Sequence, residues 1–162
     1  MTKDNYPMTP AVRFLREKAQ SFVPHIFEYE EKGGTRHTAL ELGVDEHVVI
    51  KTIVMVTDAG RGLIVLMHGD YEVSTKELAR VLGVKKVEPA EERKALNWTG
   101  YQFGGTSPFG IKMNLPVYAE SSIFQERKIF INGGKRGFIL EIEPSQLKST
   151  ISITEVEVKI KK

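Results

Sequence analysis

The sequence has no cysteine among its 162 residues. Disulfide bonds, cysteine-ligated metal sites and a thiol nucleophile supplied by the protein are therefore excluded. This absence fits a reducing compartment, and we expect a cytoplasmic protein. The sequence also lacks any apolar run near the roughly 20 residues that span a bilayer, and residues 1–14 lack the apolar block of a signal peptide. No contact with a membrane is expected.

A strong excess of one charge is missing too. The 23 basic and 21 acidic residues leave a formal net charge of +2, which is too small to attract nucleic acid through the overall field of the protein. Contact with RNA would need a local basic patch, and the candidates are Lys85–Lys86, Lys112, Lys128 and Lys135–Arg136. The alternative is that these are ordinary solvated charges.

Apolar periodicity predicts one domain, residues 1–162, with helices and strands in an irregular order. Helices are expected over residues 9–20, 35–42, 75–82 and 90–96, with a helical turn over 145–148. Strands are expected over 48–56, 63–67, 84–87, 115–118, 127–131, 137–142 and 151–160, and residues 21–29 should be extended. The last strand loses its alternation between Ile153 and Val156, which indicates a β-bulge. Because no regular strand–helix–strand repeat is present, the expected class is α+β with a mixed sheet.

Two helix starts carry clear capping signals. Thr9 precedes Pro10, a pair that suits an N-cap and a first helical position. Ser74 and Glu77 have the spacing of a capping box. Gly83 is expected to end the second of these helices.

Lys51 interrupts the β-branched run VVIKTIVMV of residues 48–56. A lysine in such a run is costly to bury unless it has a partner or faces a cleft, where its ammonium could bind a phosphate or a developing oxyanion. The alternative is an outward-facing lysine on a half-exposed strand. Tyr29 could hydrogen-bond a substrate in the same cleft, or could be an aromatic residue at the edge of the core.

Two glycine-rich segments could form walls of such a cleft. Residues 104–110 combine glycines, a proline and hydroxyl residues, and can expose backbone N–H groups toward a carbonyl or a phosphate. The alternative is a plain turn-rich connection. Residues 132–137 are explained most simply as a hairpin turn with a basic rim. Neither segment has the spacing of a Walker loop or a dinucleotide-binding loop.

The histidines do not indicate a metal site. His25, His37, His47 and His68 lack metal-ligand spacing, and Ser107 lacks the Gly-x-Ser-x-Gly nucleophile elbow. We therefore expect no metal and no cofactor.

Together these segments resemble the YbaK family, also called the prolyl-tRNA synthetase-associated editing domain. The segments that carry the resemblance are Thr9–Ala11, Tyr29 with its following acidic residues, Ile50–Thr52, Leu82–Glu88, Thr99–Tyr101, Gly104–Gly110 and Gly133–Gly137. Their order and spacing match the family over about residues 8–150. One departure is Phe27, which stands where the family often has a histidine.

The resemblance implies a compact domain with a barrel-like central sheet that deacylates mischarged tRNA, in the branch that acts on cysteinyl-tRNA. It implies that Lys51 is the catalytic residue and that Tyr29 faces the substrate. The other substrate-binding residues expected are Thr52, Gly104, Gly105, Thr106, Ser107, Pro108, Gly110, Asn132, Gly133, Gly134 and Arg136. In this branch the resemblance implies that the thiol of the substrate itself attacks the ester carbonyl.

The partner expected from the resemblance is the acceptor end of an aminoacyl-tRNA. A domain of this size has little surface for reading an anticodon, so a transient complex with prolyl-tRNA synthetase is also expected. The alternatives are a deacylase that uses water on Ala-tRNA, and a tRNA-binding or regulatory module without catalysis. A bacterial surface or pheromone-related role, known among distant relatives, is disfavoured by the missing signal peptide.

Overall fold

The computed structural model describes residues 5–162. Its helices are α1 (Pro10–Glu17), α2 (Gly34–Leu42), α3 (Thr75–Leu82), α4 (Glu92–Thr99) and α5 (Ser145–Thr150), with 3₁₀ turns at Glu46–Val48 and Ser121–Gln125. Its strands are β1 (Val23–Ile26), β2 (Val49–Thr57), β3 (Gly62–His68), β4 (Tyr71–Val73), β5 (Val87–Pro89), β6 (Val117–Glu120), β7 (Ile129–Lys135), β8 (Phe138–Ile142), β9 (Ile153–Val156) and β10 (Lys159–Lys161).

An eight-stranded mixed sheet organises the fold. Its strand order is β1-β8-β7-β2-β3-β6-β9, and β5 pairs with the far end of β2. The pairs β2–β7, β3–β6 and β6–β9 are parallel, and the other pairs of this sheet are antiparallel. A separate two-stranded sheet joins β4 to β10. The expected α+β class with a mixed central sheet is confirmed.

The two faces of the sheet bury different cores. One face covers the main core, in which Ile50 and Leu66 pack with Ile131, Leu140 and the α1 residue Leu15. The opposite face has two smaller clusters. One packs α3 on β2 and β3, and the other packs α2 on β2, β7 and β8. β2 therefore contributes residues to the cores on both faces of the sheet.

Both N-caps are confirmed, but the reciprocal bond of the capping box is absent, because the Ser74 N–H donates to the Val158 carbonyl and Glu77 pairs with Arg80. The Thr9 side chain accepts a hydrogen bond from the Val12 N–H (3.1 Å), and Ser74 accepts one from the Glu77 N–H (3.1 Å). Gly83 ends α3 with a positive φ of 70°. The helix predicted over residues 9–20 is shorter, since α1 ends at Glu17.

Two predictions near residue 87 are wrong in their bounds. The Val84 N–H donates to the Ala79 carbonyl and completes the end of α3, so residues 84–86 do not begin a strand. Pro89 closes β5 opposite Met55, where a proline is tolerated because its missing N–H lies at the end of the pairing. The helix predicted over 90–96 consequently begins later, at Glu92.

The strand predicted over residues 151–160 is two strands, and the predicted bulge is absent. β9 pairs with β6 in the main sheet, whereas β10 pairs with β4. Between them the Val158 N–H donates to the buried Glu120 carboxylate (2.7 Å). The change of alternation therefore marks the place where the chain leaves one sheet for the other.

Candidate functional site: a cavity at an unpaired stretch of β2

The pairing of β2 leaves a gap in the sheet. β7 pairs with Val49 and Ile50 at one end of β2, and β5 pairs with residues 55–57 at the other. Within the described chain no strand pairs with residues 51–54 on this side, whereas β3 covers the other side throughout. The gap opens into a cavity of about 480 Å³, here named the Lys51 cavity.

Alternation along β2 decides which backbone groups face the gap. The Thr57 N–H donates to the Arg61 carbonyl (2.9 Å) in the register that pairs β2 with β3. Odd-numbered residues of β2 therefore direct their N–H and C=O groups to β3, and even-numbered residues direct theirs to the gap. The Val54 carbonyl accepts from the Ala90 N–H (3.0 Å). The N–H and C=O groups of Thr52 are left to face the cavity.

The hydroxyl of Thr52 also lacks a partner. Among the side-chain nitrogen and oxygen atoms of residues 5–162, its Oγ1 alone is buried without a hydrogen bond. A buried polar group left in this state costs about 1–3 kcal/mol. A ligand in the cavity that bonded this hydroxyl would remove the cost.

Lys51 lines the same cavity, half-buried. Its Nζ donates a hydrogen bond to the Tyr71 carbonyl of β4. Burial lowers the pKa of Lys51 from its ordinary value, and the neighbouring Lys162 lowers it further. Three carboxylates act in the opposite direction: Glu72, Glu46 and Asp70. A lysine with a lowered pKa in a cleft is typical of a functional site.

The glycine-rich loop is fastened to the β7–β8 hairpin by two side chains. Asn132 donates from Nδ2 to the Gly104 carbonyl (2.9 Å), and its Oδ1 accepts from the Gly134 N–H (2.8 Å). Arg136 donates from Nε to the Phe103 carbonyl (2.8 Å). These bonds hold the loop backbone on one wall of the cavity.

Tyr29 stacks into this wall. The Arg136 guanidinium lies 4.8 Å from the centroid of the Tyr29 ring, a cation–π contact. Gly104 has a φ of 85°, and a Cβ on it would lie 2.6 Å from the Tyr29 hydroxyl oxygen. Only glycine fits here, because of its backbone conformation and because of the approaching phenol.

The residues expected to bind substrate fall into two groups. Those that line the Lys51 cavity are Tyr29, Lys51, Thr52, Gly104, Thr106 and Asn132. Arg136 supports Tyr29 beside them. Gly105 donates its N–H to the Gln102 carbonyl (2.9 Å), so this N–H is engaged inside the loop.

The remaining expected residues do not line the Lys51 cavity. Ser107 is fully buried, and its Oγ accepts from the Phe109 N–H (3.3 Å). Gly133 packs against Phe138, and Gly134 against Tyr101. Two further residues line a separate cavity of about 710 Å³, here named the Lys112 cavity: Pro108 and Gly110.

Some cavity residues were missed in the sequence. Thr35 and Phe103 line the cavity, and Phe103 is 40% exposed. An aromatic residue beside a loop of small residues was a usable signal for Phe103. Nothing in the sequence indicated Thr35, whose Oγ1 donates to Glu46 Oε2 (2.7 Å), because the contact depends on how α2 is placed.

The histidines have structural partners. The rings of His47 and His68 stack with centroids 3.8 Å apart, and the buried His68 bonds the His47 carbonyl (2.7 Å) and Ser122 Oγ (2.8 Å). Within residues 5–162, no group of three or more acidic or histidine side chains could hold a metal ion. Nor does this part of the chain contain a helix with the length and apolarity needed to cross a bilayer.

Comparison with known proteins identifies the class. Residues 32–150 match the family model of the aminoacyl-tRNA editing domain. The match covers more than half of the chain, and the chain therefore belongs to the aminoacyl-tRNA editing domain family. The resemblance inferred from the glycine-rich loop and the Lys51 strand is confirmed.

Individual relatives sharpen this assignment. EbsC of Enterococcus faecalis, provisionally named a Cys-tRNA(Pro)/Cys-tRNA(Cys) deacylase, is 29% identical over 148 residues, 91% of this chain and 90% of its own. A proline–tRNA ligase of Ligilactobacillus salivarius is 38% identical over 82 residues, 51% of this chain but 14% of the ligase. A solved structure described provisionally as a trans-editing enzyme for prolyl-tRNA synthetase superimposes with a TM-score of 0.82 at 18% identity, over 95% of this chain and 99% of its own. That last likeness concerns the fold.

Proposed function

We propose that the protein is a trans-editing deacylase that removes cysteine from Cys-tRNA(Pro). The observation that carries the proposal is the Lys51 cavity, which is lined both by a lysine with a lowered pKa and by Thr52, whose hydroxyl is buried without a partner. Its volume of about 480 Å³ lies within the range of about 300–1,000 Å³ typical of small-ligand pockets. That volume suits a terminal nucleotide with a small aminoacyl group.

The proposed chemistry uses the substrate's own thiol. The cysteinyl sulfur attacks the ester carbonyl carbon, and the bond from that carbon to the ribose oxygen breaks. The thiol proton goes to the leaving ribose oxygen, and the amino acid departs as a cyclic thiolactone. The protein then has to position the ester and to stabilise the oxyanion, for which preorganised donors are effective.

Each cavity group has a part in this proposal. The Lys51 ammonium neutralises the developing oxyanion or a phosphate of the terminal nucleotide. The N–H and hydroxyl of Thr52 hydrogen-bond the aminoacyl ester or the ribose. Tyr29 and Gly104 form the wall against which the aminoacyl group is oriented.

A water route on Ala-tRNA is the competing mechanism, and it needs a general base. His37 lines the cavity and is the obvious candidate. Its Nε2 faces the Glu28 carbonyl (3.0 Å), and its Nδ1 lies 2.9 Å from Glu30 Oε2. A carbonyl can only accept, so Nε2 carries a proton, and neither ring nitrogen is open to a water. His37 is therefore not available as the general base of a water route in this arrangement.

The mouth of the cavity supports RNA as the partner. The exposed ring of Phe103 offers a face on which a base of the acceptor end can stack. Lys135 and Arg136 lie nearby on the hairpin that holds this loop. Two other candidate cations are already paired, Lys86 with Glu88 (2.9 Å) and Lys128 with Glu141 (3.0 Å).

The proposal includes a physical reason for a separate editing enzyme. One methylene in an apolar synthetase pocket discriminates by only about 1–3 kcal/mol, so cysteine enters a proline site. A chemical test for a thiol rejects prolyl-tRNA without a size filter. We expect a transient complex with prolyl-tRNA synthetase, and action in the cytoplasm, where this tRNA is charged.

The test is a deacylation panel with Cys-, Ala-, Ser- and Pro-tRNA, with the released products identified by mass spectrometry. We expect rapid release of a thiolactone from Cys-tRNA and none from Ser-tRNA, in which a hydroxyl replaces the thiol. Rapid hydrolysis of Ala-tRNA would support the water route instead. Stoichiometric binding without turnover of any substrate would support a binding module.

A further inference from the structure

β10 and β4 form a small sheet of their own. Lys159, Ile160 and Lys161 pair with Val73, Glu72 and Tyr71 in antiparallel register. The Ser74 N–H also donates to the Val158 carbonyl (2.8 Å). Within the described residues β4 pairs with no other strand. A three-residue strand has marginal stability alone, so the pairing with β10 adds to the packing of Tyr71 and Val73 against the core cluster beneath α3 in fixing β4.

β4 provides the group that holds Lys51. The acceptor for Lys51 Nζ is the backbone carbonyl of Tyr71, and a backbone carbonyl is only as fixed as its strand. Lys161 lies opposite Tyr71 in the pairing. The direction of the Lys51 side chain therefore depends on the pairing of β4 with β10.

Side chains of the same segment reinforce this arrangement. Lys159 Nζ lies 3.2 Å from Ser122 Oγ and 5.6 Å from the centroid of the Tyr71 ring. Lys162 Nζ lies 3.2 Å from Glu46 Oε2, which also accepts from the cavity residue Thr35. The segment thus contacts β4 directly and the cavity residue Thr35 through Glu46.

We propose that β10 is a positioning strand for Lys51: by pairing with β4 it fixes the Tyr71 carbonyl and so holds the ammonium of Lys51, a cavity-lining residue, in one place. Residues 159–161 lie outside the stretch 32–150 that matches the editing-domain model, so this support is not part of the matched domain. The inference rests on the proposed function only for the expected change in deacylation rate, because the pKa of Lys51 is measurable without tRNA.

The charges around Lys51 give the expected direction of that effect. Burial and Lys162 both lower the pKa of Lys51, against the carboxylates of Glu72, Glu46 and Asp70. Separating β10 from β4 removes Lys162 and admits water. The pKa of Lys51 should then rise toward its ordinary value.

Two neighbouring proline substitutions in the full-length protein test the pairing. The hydrogen bond from the Ser74 N–H to the Val158 carbonyl fixes which residues of β10 hydrogen-bond β4, because these residues alternate along the strand. The Ile160 N–H therefore points at Glu72, and the Lys161 N–H points away from β4. Ile160→Pro removes a pairing hydrogen bond, and Lys161→Pro is the matched control. Ile160→Ala controls for loss of the side chain. Deletion of residues 159–162 removes β10 altogether and is a second way to abolish its pairing with β4.

Each variant is assayed for Cys-tRNA deacylation and, by NMR titration of ¹³C-methylated lysines, for the pKa of Lys51. We expect Ile160→Pro and the deletion to lower kcat at least tenfold with KM within about twofold, and to raise the pKa of Lys51. Lys161→Pro and Ile160→Ala should stay within twofold of wild type. A deletion variant with wild-type kcat and an unchanged Lys51 pKa would overturn the inference. If the wild-type protein deacylates no substrate, the proposed function fails. The pKa of Lys51 in the variants then still tests whether β10 positions Lys51.

Discussion

The Lys112 cavity is larger than the Lys51 cavity but has fewer features of a functional site. The Lys112 cavity, at about 710 Å³, lies between the chain around residues 108–117 and the start of β9. Its one charged lining residue, Lys112, is exposed. The Lys51 cavity is smaller, at about 480 Å³, but it contains a half-buried lysine and the unpartnered groups of Thr52. A functional site is indicated by a lysine with a lowered pKa and a buried hydroxyl without a partner, and not by volume.

The largest expected effect comes from removing the lysine of each cavity in turn. Lys51→Ala should lower kcat for Cys-tRNA deacylation by about 100-fold or more, the loss typical of removing a preorganised oxyanion donor. Lys112→Ala should leave the rate unchanged. Thermal unfolding checks that both variants are folded. Equal losses in the two variants would contradict the distinction between the cavities.

The apolar residues at the two mouths give the next comparison. Phe103, 40% exposed, borders the Lys51 cavity, and Met113, 48% exposed, borders the Lys112 cavity. Stacking on one base contributes about 1–3 kcal/mol, so Phe103→Ala should raise KM for Cys-tRNA about tenfold with little change in kcat. Met113→Ala should not alter KM.

A conservative replacement tests the stacking itself. Phe103→Tyr keeps an aromatic face and should keep KM near the wild-type value. If Phe103→Ala and Phe103→Tyr raise KM equally, the ring does not act as a base platform.

These contrasts also show how far the sequence leads. Lys51 in its apolar strand and the loop of residues 104–110 were identifiable because local composition is unusual there. The gap beside residues 51–54 was not, because it depends on where two distant strands, β7 and β5, stop pairing with β2. The hydrogen bond from Lys51 to the Tyr71 carbonyl was not predictable either, because it depends on where β4 packs in the fold.

The glycine-rich segments show a different limit. Residues 104–110 were predicted to form one ligand-facing loop. In the structure Gly104 lines the Lys51 cavity, whereas Pro108 and Gly110 line the Lys112 cavity. Small residues permit close approach on either side of a backbone, so composition alone does not tell which side meets a ligand. Similarly, Gly133 packs against Phe138 in the hairpin.

Removing the Thr52 hydroxyl should have a smaller effect, which differs between the stability of the protein and its deacylation rate. Thr52→Val keeps the shape of the side chain and deletes the one hydroxyl that is buried without a partner within residues 5–162. Because that hydroxyl has no partner to lose, the free energy of unfolding should be unchanged or rise by up to about 1 kcal/mol. If the substrate bonds the hydroxyl, deacylation should slow about fivefold to tenfold. Thr154→Val, at an exposed position lining the Lys112 cavity, should change neither quantity.

Unfolding in denaturant and steady-state kinetics measure the two quantities on the same preparations. A loss of stability in Thr52→Val would show that the hydroxyl is satisfied in the folded protein. Thr52 would then offer no unpartnered hydroxyl to a ligand.

The smallest effect expected is a shift in the pH dependence of kcat, caused by changes near the Lys51 cavity and not by changes at the Lys112 cavity. The ammonium of Lys51 is the active form in the proposed mechanism, and burial lowers its pKa below the ordinary value of a lysine. Activity should therefore fall as the pH rises through that lowered pKa, earlier than for an ordinary lysine. Lys162→Ala removes a like charge and frees Glu46 from its ion pair, and both changes raise the pKa of Lys51. The alkaline limb of kcat against pH should move to higher pH in Lys162→Ala and stay in place in Lys112→Ala. A limb that moves to lower pH in Lys162→Ala would mean that the titrating group is not Lys51.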